Sequence, residues 1–486
     1  MASLKDKAVK GVKWTTIYSV CNVAINPLAL AILARLLSPV EFGKMAIVTI
    51  VIGFSKQIAQ LGFSQAIIQK DEVSDDDLNS IFWFEQVLGI VSFVIIFSLA
   101  ENISLFFNEP NAIRLIRYSA FVFLLEPIDL VFRSLLKKEL KFDLLTKAML
   151  VKLLFQKVSM VTFAYLGFGA VSFVYGNLIG IIILTLILLI IFLKNNLWFP
   201  KLYFSFSKLK PYLNFGIFIA AKSVFTNLFD NIDEIIIGGS LGTEILGVYH
   251  FAKKLIRYLV QLLNHPVSGV SFPLLSKLKS NSNQFNNVYK KIIKLIGLIG
   301  IPANIGVAVT SSLFIPLLFG EEWNKAILVI TLLTLWGSFE LLTHNIAPRA
   351  IYALGYSKIV FYITVVDLPI RGLILYLGAQ FNLEMVAISL GIFVFVKFLI
   401  FQVVLGKFTD LKLVNVISEL KYIAISSLIM GIIIWLLKIW LIQITNIFLV
   451  LIIIILIAVI CYIILIYLFE REFFVYTLKL ISKSIN

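Results

Sequence analysis

The segment FTNLFDNIDEIIIGGSLG, residues 225–242, combines three acidic side chains with the composition of a membrane-spanning helix. Asp230, Asp233 and Glu234 lie within five residues of one another. An unpaired charge at the centre of a bilayer costs about 2.5–3.5 kcal/mol, even on scales derived from helix insertion. The segment therefore predicts a helix inside a bundle or beside a watery cavity, with partners that answer its charges.

The rest of the chain has the composition of a polytopic membrane protein. Of its 486 residues, 60% are hydrophobic and only 14% are charged, and the mean hydropathy is +0.99. A soluble protein would carry about a quarter charged residues. Apolar runs of about 20 residues recur from end to end, which is the length that spans a bilayer. They predict an all-α protein with fourteen membrane-spanning helices, near residues 14–36, 43–67, 80–100, 112–134, 145–167, 170–193, 212–238, 246–275, 288–310, 325–346, 358–380, 385–406, 418–441 and 446–468.

The basic residues indicate the orientation of these helices. Most of them fall in alternate loops, including the N-terminus and the group Arg133, Lys137, Lys138, Lys141 and Lys147. The loops of the opposite set hold only Arg35, Lys44, Arg114, Arg117, Lys325 and Lys438. Because Lys and Arg are enriched in cytoplasmic loops, both termini are predicted to be cytoplasmic. The net charge of +15 thus reflects topology, and no nucleic-acid partner is expected.

An internal repeat relates the two halves of the chain at an offset near 204 residues. LLSPVEFGKMA at 36–46 aligns with SLGTEILGVYH at 240–250, which pairs Leu37 with Leu241 and Gly43 with Gly247. Six predicted helices separate the two members, so the repeat is parallel. It predicts an N-terminal lobe of helices 1–6 (residues 1–200) and a C-terminal lobe of helices 7–12 (201–410), followed by helices 13–14 and a cytoplasmic tail (411–486).

Two neighbouring helices carry charged stripes. On helix 7, Lys222, Thr226, Asp230 and Asp233 or Glu234 share one face at helical spacing. On helix 8, the corresponding stripe consists of Lys253, Arg257, Gln261 and Asn264. The two stripes predict either ion pairs that fix the register of the helices or a cavity whose cations hold an anionic substrate. A third possibility places Asp233 and Glu234 in solvent near the outer end of helix 7.

Other predicted helices carry further charges. Lys56 lies on helix 2, Glu85 on helix 3, Lys152 and Lys157 on helix 5, and a lone Lys397 on helix 12. On helix 11, Asp367 and Arg371 are spaced for a local pair, and on helix 4 Arg133 follows Glu126 and Asp129 near the interface. Each alone is typical of ion pairing or of a side chain reaching for the interface. Together they favour a mainly cationic cavity, which suits phosphate or pyrophosphate.

The sequence gives little support for an enzyme. It has no G-x-x-x-x-G-K-[ST] phosphate loop, and its three histidines, at 250, 265 and 344, do not have metal-ligand spacing. No nucleophile elbow stands out, and the predicted loops are short. We therefore expect a transporter with no catalytic residue, no metal and no cofactor.

Several stretches resemble one transporter family. They are KGVKWTTI at 10–17, LARLLSPVEFGKMAIV at 33–48, LGFSQAIIQKDEVSDDDLNSIFWF at 61–84, FRSLLKKELKF at 132–142, NFGIFIAAKSVFTNLFDNIDEIIIGGSLGTEILGVYHFAKKL at 214–255, SFPLLSKL at 271–278 and FGEEWNKAI at 319–327. The chain is similar over about residues 5–410 to polysaccharide exporters of the multidrug/oligosaccharidyl-lipid/polysaccharide superfamily. It most resembles the branch of the colanic acid and teichuronic acid exporters.

The resemblance implies a fold and a function. The two lobes would form a V around a central cationic cavity in the bacterial cytoplasmic (inner) membrane. The cargo would be an oligosaccharide on undecaprenyl pyrophosphate, moved from the inner to the outer leaflet by alternating access, for a surface polysaccharide such as a capsule or lipopolysaccharide. The resemblance also implies coupling to a sodium or proton gradient, and work alongside a polysaccharide polymerase and its assembly machinery.

These observations give a set of candidate site residues. We expect the substrate to meet cations drawn from both lobes, namely Lys253, Arg257, Lys152, Lys157, Lys56, Lys222, Arg371 and Lys397. Candidates for the coupling ion or for ion pairing are Asp230, Asp233, Glu234 and Glu85. The alternatives are a cation-coupled multidrug antiporter, a flippase for the peptidoglycan precursor, and an enzyme that transfers glycans.

Overall fold

The structure of the protein, a computed structural model, describes residues 4–444 and 446–475. Within these residues the chain forms seventeen α-helices and one 3-10 turn, and no strand. Some side chains inside helices lie outside the description, among them those of Gln261 and Asn264 of the helix 8 stripe, and of His265 and His344.

The chain divides into two compact units, residues 1–250 and 251–486. The first unit contains α1 (Leu4–Leu36), α2 (Pro39–Ala59), α3 (Phe63–Gln69), α4 (Asp75–Phe106), α5 (Ala112–Ala120), α6 (Val122–Lys138), α7 (Phe142–Tyr165), α8 (Val171–Lys194), α9 (Phe206–Leu241) and the start of α10 (Thr243–Lys277). The second unit contains the rest of α10, then α11 (Ser282–Phe319), α12 (Asn324–Asn345), α13 (Ala347–Ala353), α14 (Ser357–Ala379), α15 (Leu383–Thr409), α16 (Leu413–Leu441) and α17 (Ile447–Phe469).

Two of the fourteen predicted helices are divided in the structure. Predicted helix 2 becomes α2 and α3, because Gly62 takes a left-handed conformation with φ of 65° and ends the helical path. Predicted helix 4 divides into α5 and α6 at Phe121. The other twelve predicted helices each correspond to one helix of the structure. Predicted helix 10 is α12, and the short helix α13, which the sequence analysis did not predict, follows it after Ile346.

Eight of the described helices are long and apolar enough to cross a membrane. They are Val9–Leu36, Asp75–Phe106, Val171–Lys194, Ser282–Phe319, Ser357–Ala379, Leu383–Thr409, Leu413–Leu441 and Ile447–Phe469. Several of the other long helices, such as α7, α9 and α10, carry the charged side chains of the candidate site, which lower their hydropathy. The chain is a multi-pass membrane protein, and a total of fourteen spans stays a prediction.

Helix α9 is the element whose packing differs from the predicted lobes. It is predicted helix 7, the first helix of the C-terminal lobe, yet it packs against α2, α3 and α4 of the first unit. Its buried Leu209 and Tyr212 join a cluster with Phe63 and Phe132. The boundary between the compact units therefore follows His250, whereas the predicted boundary between the lobes lies at residue 200.

The two copies of the repeat meet where α2 and α10 begin. A Cβ atom on Gly43 would overlap the backbone carbonyl of Thr243, and a Cβ atom on Gly247 would overlap that of Pro39. Pro39 and Thr243 are 204 residues apart, as are Gly43 and Gly247. Each half of the repeat thus presents its glycine to the same carbonyl of the other half. This reciprocal contact supports the repeat that the sequence predicts.

We expect Gly247→Ala to destabilise the protein by about 1–3 kcal/mol, because the new methyl group meets backbone that cannot rotate away. Gly306→Ala is the matched control, since a Cβ atom there has open space within 4 Å. Thermal unfolding of the purified variants in one detergent measures both effects. Equal melting temperatures for the two variants would contradict the close approach of α2 and α10.

Candidate functional site

The acidic residues of α9 find partners on the first turns of α10. The Tyr249 hydroxyl donates to Asp233 Oδ2 over 2.7 Å, and His250 Nδ1 lies 3.1 Å from Glu234 Oε2. Both carboxylates are buried, Asp233 at 1% exposure and Glu234 at 4%. The suggestion that they lie in solvent at the end of the helix is therefore wrong. Their pairing with Lys253 or Arg257 stays a prediction.

Tyr249 and His250 are partners that the sequence analysis missed. The available signal was Gly242, which joins α9 to α10 with φ of 87°. A helix that turns back at this glycine brings together residues about equally distant from it on either side. Asp233 and Glu234 precede the turn by nine and eight residues, and Tyr249 and His250 follow it by seven and eight.

The predicted polar stripe on α9 divides into two faces. Lys222, Thr226 and Asp230 are exposed, whereas Asp233 and Glu234 are buried. The Thr226 hydroxyl donates to the backbone carbonyl of Lys222 over 2.9 Å. Asp233 and Glu234 thus face the interior, whereas the residues that precede them on the stripe face outward.

A buried cluster of charges lies between α2, α4 and α6 in the first unit. Lys56 forms an ion pair with Glu126, and Arg133 Nη2 lies 2.5 Å from Asp129 Oδ1. Glu126 and Asp129 are buried at 5% and 1% exposure. The Arg133 side chain is only 22% exposed. Asp129, one turn earlier, holds it within the first unit, and its placement near the membrane interface stays a prediction.

Glu85 lies beside these pairs without a cation of its own. It is 1% exposed, and neither of its carboxyl oxygens has a hydrogen-bond partner among the described residues. The charged groups around it are Arg133, Asp129 and Glu126. Burial of a carboxylate without a partner is costly. Glu85 is therefore well placed to take up a proton or a cation.

Helix α7 brings two more lysines into the first unit. Lys152 and Lys157 are each partly buried, and neither makes a hydrogen bond or an ion pair with any described residue. Lys152 is within electrostatic range of Glu126 and Asp129. The helix packs closely against α8, where a Cβ atom on Gly180 would lie 2.9 Å from Gln156 Cβ. The two lysines thus place positive charge in the bundle with no counterion in contact.

The second unit contains a buried ion pair between two helices. Asp367 on α14 pairs with Lys397 on α15, and their side chains are 6% and 9% exposed. The sequence analysis paired Asp367 with Arg371 and left Lys397 alone, and both assignments are corrected here. Arg371 still contributes electrostatically to Asp367. The contact across two helices forms because Asp367 and Lys397 face each other in the interior.

The remaining candidate cations lie on α10. Lys253 is partly buried and Arg257 is exposed within the second unit. Among the described residues, no group of three or more His, Cys, Asp or Glu side chains could hold a metal ion. The structure therefore brings together Lys56, Glu85 and Lys152 of the candidate set, with Glu126, Asp129 and Arg133 completing the cluster.

Comparison with known protein families assigns the chain. A family described as "Polysaccharide biosynthesis protein" matches residues 32–328, more than half of the sequence. The chain belongs to this family. It is 29% identical to the lipopolysaccharide biosynthesis protein WzxC of Escherichia coli K12 over 335 residues, which cover 69% of this chain and 68% of that protein. It is 26% identical to the teichuronic acid biosynthesis protein TuaB of Bacillus subtilis over 386 residues, or 78% of each.

Solved structures share the fold of this member of the polysaccharide biosynthesis protein family. The lipid II flippase MurJ, in its inward closed conformation, matches with a TM-score of 0.73 and 17% identity over 96% of this chain and 99% of that one. An inward-facing multidrug transporter of the MATE family matches with a TM-score of 0.55 and 15% identity, over 80% and 96%. The predicted all-α membrane fold is confirmed, and the superfamily stays a prediction.

We expect Asp367→Asn to lower the free energy of unfolding by about 3–5 kcal/mol, because it leaves Lys397 buried without its partner carboxylate. The double variant Asp367→Leu, Lys397→Met removes both charges and should recover most of this loss. Thermal or denaturant unfolding in detergent compares the three proteins. A double variant as unstable as the single one would show that the pair is not the source of the effect.

Proposed function

We propose that this protein is a flippase that moves lipid-linked oligosaccharides across the bacterial cytoplasmic membrane for a surface polysaccharide. The observation that carries the proposal is the pair of lysines on α7. Lys152 and Lys157 lie partly buried in an apolar bundle and have no ion pair among the described residues. Charges inside a membrane protein are costly, and those that persist there commonly serve transport.

The chemistry of these lysines suits a pyrophosphate group. An ammonium group binds phosphate oxygens through charge-assisted hydrogen bonds, and a diphosphate can accept several at once. Lys253 and Arg257 on α10 are the further cations that we assign to the headgroup, with Lys56, Lys222, Arg371 and Lys397 as weaker candidates. Lys56 and Lys397 are already paired with Glu126 and Asp367. The proposal therefore gives the unpaired lysines of α7 the larger part.

An apolar groove in the second unit is suited to the lipid part of such a cargo. It has a volume of about 630 Å³ and lies between α10, α11, α16 and α17. Its wall includes Leu255, Pro302, Phe314, Ile455 and Val459. The hydroxyl of Tyr462, one of its few polar groups, is occupied because it donates to the Leu298 carbonyl over 2.7 Å. A groove with this lining accepts hydrocarbon chains and offers little to a sugar.

The names of the relatives are consistent with this cargo. WzxC and TuaB are named for lipopolysaccharide and teichuronic acid biosynthesis, and MurJ is named as a lipid II flippase. We propose that the cargo is carried on undecaprenyl pyrophosphate, and that the protein works beside a polysaccharide polymerase with both termini in the cytoplasm. We further propose that a sodium or proton gradient resets the transporter through Glu85, Asp230, Asp233 or Glu234.

One observation favours a second function, export of cationic drugs in exchange for cations. The buried carboxyl group of Glu85 has no hydrogen-bond partner among the described residues, which is the kind of site that a cation can enter. An antiporter predicts that loss of the protein sensitises cells to cationic dyes while the surface polymer is unchanged. A flippase for the peptidoglycan precursor instead predicts that loss is lethal.

The proposed flippase is tested in a clean deletion strain. We expect loss of one surface polysaccharide and accumulation of undecaprenyl-linked repeat units in the membranes, measured by chromatography of extracted lipids. Restored wild-type protein should reverse both changes. Lys152→Gln and Lys157→Gln should each lower export by about tenfold or more, since one charge-assisted hydrogen bond contributes about 1.5–3 kcal/mol.

Lys194→Gln is the matched control for these substitutions. It removes the same charge from the exposed last turn of α8, and its export should equal that of the wild type. Expression in the membrane must be equal in all three variants. Normal export by both α7 variants would overturn the assignment of the lysines, and an unchanged polymer in the deletion strain would overturn the flippase itself.

A further inference from the structure

A polar pocket of about 150 Å³ lies in the first unit between α2, α3, α6 and α9. Its charged wall consists of Arg133 and Lys137 from the last two turns of α6. Gln57 and Gln60, from the end of α2, and Gln65 from α3 add side-chain amides. The pocket has no acidic residue in its lining, and both of its charged residues are basic.

Most of the polar groups in this pocket have no protein partner. Among the described residues, the Lys137 ammonium group and the amides of Gln57, Gln60 and Gln65 make no hydrogen bond or ion pair. Partly enclosed polar groups of this kind require water or a ligand. These four groups line a space that the protein itself does not fill.

The charge balance around the pocket favours an anion as the occupant. No carboxylate lines the pocket, Asp129 contacts Arg133 Nη2 over 2.5 Å, and Glu126 pairs with Lys56. The Glu85 carboxyl group, which has no such partner, lies outside the lining. The Lys137 ammonium group therefore has no counterion in contact among the described residues. A negatively charged ligand that accepts several hydrogen bonds would neutralise the cations and accept hydrogen bonds from the amides.

We propose that this pocket binds a phosphoryl oxyanion, with Lys137 and Arg133 supplying charge and the three glutamine amides supplying neutral donors. The pocket is large enough for a phosphate group in place of several water molecules. Lys137 belongs to the loop set predicted to face the cytoplasm. The anion is either the headgroup of the proposed cargo, in which case the inference rests on the proposed function, or a free phosphate compound of the cytoplasm.

The test is equilibrium binding of radiolabelled inorganic pyrophosphate to the full chain in phosphatidylcholine nanodiscs. We expect Lys137→Gln to weaken binding by about tenfold or more, and Gln60→Leu, which removes a neutral donor, to weaken it by a few fold. Lys208→Gln is the matched control, because Lys208 is an exposed lysine of α9 outside the pocket. Arg133 is left intact because its loss would strand Asp129 in the interior.

Two results would overturn the inference. One is equal binding by the Lys137→Gln and Lys208→Gln variants, and the other is no measurable binding by the wild type. The same binding comparison is repeated in a Lys152→Gln, Lys157→Gln double variant, so that pyrophosphate bound by the α7 lysines does not contribute. In this background Lys137→Gln should remove the remaining pyrophosphate binding.

A second arm distinguishes the sources of the anion. Undecaprenyl diphosphate and unlabelled pyrophosphate are compared as competitors of the labelled pyrophosphate. If undecaprenyl diphosphate competes at a much lower concentration, the anion is the headgroup of the cargo. If the two compete at equal concentrations, the anion is a free phosphate compound. Failure of the two proposals is also distinguishable. Normal polymer in the deletion strain with binding lost in Lys137→Gln removes the flippase and keeps the pocket. Lost polymer with binding unaffected by Lys137→Gln removes the pocket and keeps the flippase.

Discussion

Charge buried among apolar helices is the constraint on which the rest of this structure depends. Each ionised side chain taken from water needs an opposite charge or several hydrogen bonds, because the surroundings do not replace the lost hydration. In the first unit Glu126 pairs with Lys56, and Asp129 pairs with Arg133. In the second unit Asp367 pairs with Lys397. These pairs join different helices or successive turns, so they also set the register in which the helices pack.

The exceptions to this pairing direct attention to function. Lys152, Lys157 and Lys137 carry positive charge into the first unit without an ion pair among the described residues, and Glu85 carries a carboxyl group there without a hydrogen-bond partner. Charges with a purely structural role would have an opposite charge in contact. The unpaired cations outnumber the unpaired acid, which favours an anionic cargo over a cationic drug. Exchange of a proton or a cation at Glu85 stays a proposal.

Close backbone contact is the second device that organises the fold. Gly43 and Gly247 let α2 and α10 approach until each helix touches a carbonyl at the start of the other. Any side chain at either position would separate the two helices. The contact lies a few residues from Tyr249 and His250, which hold Asp233 and Glu234. The geometry of the repeat and the partners of the acidic residues are therefore set by the same short region of α10.

The sequence by itself determined the class of the protein and most of its helices. Hydropathy with runs of about 20 residues predicted the helical bundle, the spacing of Gly43 and Gly247 predicted the repeat, and the quoted motifs predicted the family. Periodicity predicted which charges share a helix face, but it could not predict which charges meet across helices. Only the tertiary structure paired Asp367 with Lys397 and Lys56 with Glu126, placed α9 on the first unit, and opened a pocket beside Lys137. The physical reason is that a sequence pattern reports the direction of a side chain from its own helix, whereas a partner depends on how two helices, distant in the chain, pack against each other.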